Sequence, residues 1–146
     1  MRDRERRIGE AAIEIRADAR NPIFLICDHA SNRIPPDYGD LGLNPAERED
    51  HIAWDIGAAE VTHVLSSELN APAVLGAISR LVVDLNRRPE APDVIPTVTH
   101  GVRVPGNQTL PPEDRASRFE RFYHPYHEAI DRLLAMSDAN VIVSVH

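Results

Sequence analysis

Two histidines and an asparagine–arginine pair each stand directly after a short apolar run. Pro22–Cys27 leads into Asp28-His29, Leu81–Leu85 (with Asp84 inside it) into Asn86-Arg87-Arg88, and Val141–Val145 into His146. Imidazole is the commonest side-chain ligand for transition metals, and two histidines with a carboxylate make a frequent zinc set. A guanidinium beside them would grip a substrate carboxylate in a bidentate fork. Open α/β sheets bind ligands beyond the carboxyl ends of their strands. If the runs are adjacent parallel strands, these groups meet at one rim. Taken singly, each has a plainer reading: a His after a strand is usually a loop residue, and an Arg there is usually surface.

Other residues offer weaker support. His51 and Asp55 are four apart and share a face if that segment is helical. Asp55 is then either a metal ligand or the partner that orients a liganding histidine. The alternative is a His–Asp pair on a half-exposed face. His127 borders the apolar face of a later helix, whereas His124 points away from it. His127 either reaches the site or is a satisfied boundary histidine. His63 has no such support, and His100 has only its place in a long loop.

The elements that must position these groups are legible as patterns. Pro22–Cys27, Ala73–Ala77, Leu81–Leu85 and Val141–Val145 are apolar without alternation, as in strands covered on both faces. A first helix starts at Asn44-Pro45 and runs to about Leu69, where Asn70-Ala71-Pro72 stops it. Its apolar stripe is Trp54, Ala58, Val61, Leu65 and Leu69. A second runs from about Pro111 to Met136, its apolar face made by Phe119, Phe122, Tyr123, Tyr126, Ile130, Leu133 and Leu134. Pro125 inside it predicts a kink or break. Strands alternating with helices predict an α/β layer fold, with helices on both sheet faces. Arg87–Leu110 fits neither period, and its interior, Thr99 to Asn107, reads as a lid or binding loop. Residues 1–21 carry seven charges in the first ten positions and a weak helical pattern, and read as a surface segment ahead of a 22–146 domain.

Composition narrows the function. The 146 residues suit one domain, with 42% apolar and 27% charged residues and a mean hydropathy of −0.32. No apolar run approaches the ~20 residues of a spanning helix, and the charged start is no secretory signal. The net charge is −7, and all 16 basic residues are Arg. An acidic chain without a basic stripe is a poor nucleic-acid ligand. The absence of Lys excludes Schiff-base and P-loop chemistry. A single cysteine, Cys27, gives no internal disulfide and suits a reducing cytoplasm.

Three ordered stretches carry a resemblance. Asp28-His29-Ala30-Ser31-Asn32-Arg33-Ile34-Pro35, His51-Ile52-Ala53-Trp54-Asp55-Ile56-Gly57-Ala58 and Ser79-Arg80-Leu81-Val82-Val83-Asp84-Leu85-Asn86-Arg87 resemble the N-formylglutamate amidohydrolase family. Ile95-Pro96, Pro105-Gly106-Asn107, Tyr126-His127 and Ser144-Val145-His146 extend it, so that it covers about residues 22–146. The family is related to the zinc carboxypeptidases. The resemblance implies a mixed, mostly parallel sheet flanked by helices, zinc held by His29 and His146, and a carboxylate-binding run at Asp84-Leu85-Asn86-Arg87. The carboxypeptidase motif has Glu three residues after its first His, where this chain has Asn32. Asn32, Asp55 or Asp28 is therefore left to complete the set. The family's sequence continues beyond the position of His146, and the acidic general base is expected there, so the chain is expected to be C-terminally incomplete.

The resemblance implies hydrolysis of N-formyl-L-glutamate to formate and glutamate, a step of histidine breakdown. Zinc would activate a water, and Asn86 and Arg87, with Arg80, would hold the acidic small-molecule substrate. His127 would protonate the leaving amine or stabilise the oxyanion. The rivals are a non-catalytic ligand-binding domain of the same fold and a zinc peptidase or peptidoglycan amidase.

Overall fold

The computed structural model describes residues 6–146. Its main sheet contains β1 (Arg6–Ile8), β2 (Ala12–Ile15), β3 (Ile23–Cys27), β4 (Ala73–Gly76) and β7 (Val141–Ser144), in the order β1-β2-β4-β3-β7. β3 pairs in parallel with both β4 and β7, while β2 is antiparallel to β1 and β4. Four of the five strands therefore run one way, as a mixed, mostly parallel sheet requires. Among the described residues, no helix is long and apolar enough to cross a membrane.

Alternate residues of β3 feed opposite layers, as the pleat dictates. Phe24 joins Val74 under Phe122, Tyr126 and Leu133, whereas Leu25 and Cys27 join Leu75 over Ala58 and Leu65. The first layer is roofed by the Phe119–Tyr123 stretch and α4 (His124–Ala135), which follow α3 (Pro112–Arg118), and the second by α2 (Ala58–Leu69). Helices cover both faces.

Several expectations are corrected. The described part of residues 1–21 is not a helical surface segment. β2 belongs to the sheet, with Ala12 and Ile15 buried against β4. The first helix is two helices, α1 (Pro45–Glu49) and α2. Asn44 caps α1 in a reciprocal box with Glu47. The chain then leaves the helix at Asp50, whose carboxylate accepts from the His51 amide at 2.6 Å. It re-enters after Gly57, at φ 88°, a conformation that favours glycine. α2 buries Ala58, Thr62 and Ser66, and leaves Val61 and Leu69 exposed. The Thr62 and Ser66 hydroxyls donate to the Ala58 and Ala71 carbonyls, so small polar residues satisfy the tight face.

Leu81–Leu85 is buried but is not a strand. Its backbone is satisfied from elsewhere. Asn107 donates to the Leu81 carbonyl, Arg118 donates to that of Val82, and the Asp84 amide donates to Val94. Val141, Ile142 and Val143 of β7 are 48%, 52% and 36% exposed, so this strand is not covered on both faces.

The break expected near Pro125 takes the form of a π-helical stretch, Phe119–Tyr123. Pro125 cannot donate to the carbonyl four residues back, and the widened turn precedes it. The 87–110 loop contains a hairpin, β5 (Val98–Thr99) and β6 (Val102–Arg103), turning through His100 and Gly101 at φ 47° and 79°. Val94, Ile95, Val104 and Asn107 of the loop are buried.

Candidate functional site

Register brings the two predicted histidines to one rim. β3 and β7 are neighbours with Ile26 opposite Ser144, so His29 and His146 leave the sheet side by side. Their ring centroids lie 5.7 Å apart. β4 ends in the same place. Gly76 is required there, because any side chain would collide with the Asp28 carbonyl and a Leu85 methyl.

Asp55 arrives from the turn between α1 and α2. Its amide donates to the His29 carbonyl at 2.9 Å, tying the two loops. Its Oδ2 lies 3.3 Å from His29 Nδ1 and 3.1 Å from His146 Nδ1. One ligand atom from each of His29, Asp55 and His146 lies within 4.8 Å of the others, a set that can hold a metal ion. His29 is buried and His146 exposed, so the set opens to solvent on one side.

Asp84 supplies what the sequence reading left without a role. Its Oδ1 sits 2.7 Å from His29 Nε2 in a buried contact. Each ring nitrogen of His29 therefore faces a carboxylate, and a proton held on Nε2 by Asp84 would free Nδ1 to act as a ligand atom. Asp84 also accepts from the Asn86 amide at 2.9 Å. Its signal in the sequence was position: it is the acid of an Asp-x-Asn-Arg run ending in the expected substrate residues.

The remaining candidates divide. Arg80 donates to Asp55 Oδ1, so it touches the ligand set directly. Burial opposes ionisation of Asp55, but hydrogen bonds from Arg80 and His146 outweigh it and hold the carboxyl below its ordinary range. Arg87 is half exposed and turned to acids, 3.8 Å from Asp84 and 3.3 Å from Asp93. With Asn86 it lines an open cavity of about 500 Å³. His127 is engaged elsewhere: its Nε2 donates to the Leu85 carbonyl at 3.0 Å. Tyr123 donates to the Arg87 carbonyl at 2.7 Å, so helix side chains clamp the 84–87 turn. Asn32 donates its amide to the Arg48 carbonyl and lines a separate cavity. Asp28 accepts from the buried Tyr126 hydroxyl at 2.6 Å. His51 does not share a face with Asp55. It faces Asp50 and stacks its edge on His100, centroids 4.9 Å apart.

The family model for N-formylglutamate amidohydrolase matches residues 21–146. The chain belongs to that family. It is also similar to the crystal structure of gene product Atu2144 from Agrobacterium tumefaciens, with a TM-score of 0.89 and 36% identity. That likeness covers 94% of this chain and 56% of the other, so this chain spans little more than half the length of its structural relative. No curated protein matches the sequence.

Proposed function

We propose that the chain carries the metal-binding half-site of an amide hydrolase acting on a small acidic N-acyl amino acid, with N-formyl-L-glutamate as the first substrate to test. The observation that supports it is the convergence of His29, Asp55 and His146, with Asp84 2.7 Å from the other ring nitrogen of His29. The donor set is two imidazoles and one carboxylate with an open side, which fits a catalytic rather than a closed structural zinc site. When bound, such an ion would lower the pKa of a water and polarise the amide carbonyl.

The chain's own residues have distinct tasks. Asp84 orients His29. Arg80 holds Asp55 and presents a fixed cation beside the set, where negative charge on the amide oxygen would develop. Asn86 and Arg87 offer an amide and a guanidinium to the substrate's α-carboxylate, which would displace Asp93. His127 and Tyr123 keep that turn in register.

One observation favours a second reading, a non-catalytic ligand-binding domain: Asp55 already has a cationic partner in Arg80. Elemental analysis after chelator-free purification, with formate release measured in parallel, separates the two. The hydrolase reading expects one metal per chain in the wild type, formate from N-formyl-L-glutamate, and loss of both in His29→Ala. A metal-free wild type that still binds glutamate would support the binding module. Full metal occupancy in His29→Ala would remove His29 from the ligand set.

A further inference from the structure

A glutamate derivative has two carboxylates, and the 84–87 turn accounts for one. The other cations near the rim are already engaged, Arg80 with Asp55, Arg87 with Asp84 and Asp93, and Arg33 with the Ala77 and Glu10 carbonyls. Arg48 differs. Among the described residues it has no ion-pair partner, and a guanidinium stays charged in a protein, so its uncompensated charge is available to an incoming anion.

Arg48 also stands in a suitable place. It lines a cavity of about 310 Å³ with Asn32, Arg33, Ile34, Pro45 and Glu49. That volume lies at the lower end of the range for small-molecule sites, which runs from roughly 300 Å³. One wall is the segment leaving His29, and the other is α1, which leads into the turn bearing Asp55. Asn32 donates to the Arg48 carbonyl at 3.1 Å and joins the walls. The Trp54 indole donates to the Glu49 carbonyl at 3.1 Å and fixes the α1 end against the turn. A ligand seated here is thus held between the two loops that supply the buried histidine and the carboxylate of the candidate metal set.

We infer that Arg48 is the specificity-determining residue for the side-chain carboxylate of the acidic substrate, which it receives in the cavity between residues 32–34 and α1. This rests on the hydrolase reading for the identity of the ligand, not for the existence of the subsite. A bidentate guanidinium–carboxylate contact also explains how an acidic chain selects an acidic ligand.

The test is a binding comparison by calorimetry, using N-acetyl-L-glutamate and N-acetyl-L-glutamine, which differ only in the side-chain carboxylate. The wild-type chain is expected to prefer the glutamate compound by about tenfold to a hundredfold, the range for a charge-assisted hydrogen bond. Arg48→Gln is expected to bind both equally, with an unchanged circular dichroism spectrum. Arg48→Lys keeps the charge but not the fork, and should retain part of the preference. A wild type without preference, or an Arg48→Gln variant that keeps it, would overturn the inference. Metal content is scored separately. A metal-free wild type would end the hydrolase reading, while the calorimetric preference still decides the subsite.

Discussion

At the rim of the sheet, His29, Asp55, Asp84 and His146 meet; across the 81–85 segment, Arg118 and Asn107 form a second buried polar group. The second is closed but for the Arg118 Nε, which has no hydrogen-bond partner. Arg118 is 2% exposed and donates to the Val82 carbonyl and to Asn107 Oδ1, while Asn107 donates to the carbonyls of Leu81 and Pro96. The Arg118 guanidinium lies 4.8 Å over the Tyr38 ring. Burial pushes its pKa below the ordinary arginine value. Its bonds are spent on backbone that would otherwise be orphaned, and they allow an irregular segment to lie in the core. The rim group instead brings one potential ligand atom from each of three residues within 4.8 Å of the others, on a side open to solvent. Burial of polar groups does not distinguish structure from function here; whether they are spent on backbone or gathered at one open space does.

That contrast can be broken by mutation. Arg118→Ala is expected to cost about 3 kcal/mol, because it strands two buried acceptors. The melting temperature should fall by roughly 6–12 °C for a chain of this size, with metal content per folded molecule unchanged. Loss of metal at unchanged stability would reverse the assignment of the two clusters. Asp84→Asn should do the opposite, lowering metal affinity about tenfold to a hundredfold with a smaller change in melting temperature. Competition against a chelator measures it, and an unaltered affinity would remove Asp84 as the group that orients His29.

The smallest effect is alkaline and belongs to the core beside the rim. Burial, with the charge and hydrogen bond of Asp28, raises the Tyr126 hydroxyl well above its ordinary value. The folded state then keeps a proton that the unfolded chain releases. Stability is full below about pH 10, the unfolded tyrosine value, and falls as pH rises beyond it. Tyr126→Phe should flatten that fall while weakening the protein by about 1 kcal/mol at neutral pH. Urea unfolding at pH 8 and pH 11 reads both.

The rim was legible in the sequence because it depends on where runs end. Pro22–Cys27 and Val141–Val145 were apolar enough to be read as strands, and each ended in a histidine. Their parallel adjacency then put the rings together. Other parts were hidden for physical reasons. Leu81–Leu85 has the composition of a strand, but Arg118 and Asn107, distant in sequence, replace its ladder partners. The α1–α2 break depends on Asp50 capturing the next amide and on Gly57, both small local effects inside an apparently continuous stripe. β2 was missed because its residues carry only a weak pattern and gain burial from β4. Asp84 showed only as a position in the Asp-x-Asn-Arg run, and Arg48 not at all, because burial and pairing decide what each does.

Among the described residues β7 has one neighbour, and its outer backbone groups are unpaired and its Val-Ile-Val side chains part-exposed. No proline or lysine blunts it. Such a border is a template for any extended polypeptide that meets it. Whatever covers this border, a further strand or another polypeptide, is expected to pair with β7, and a charged residue at Ile142 should weaken that pairing.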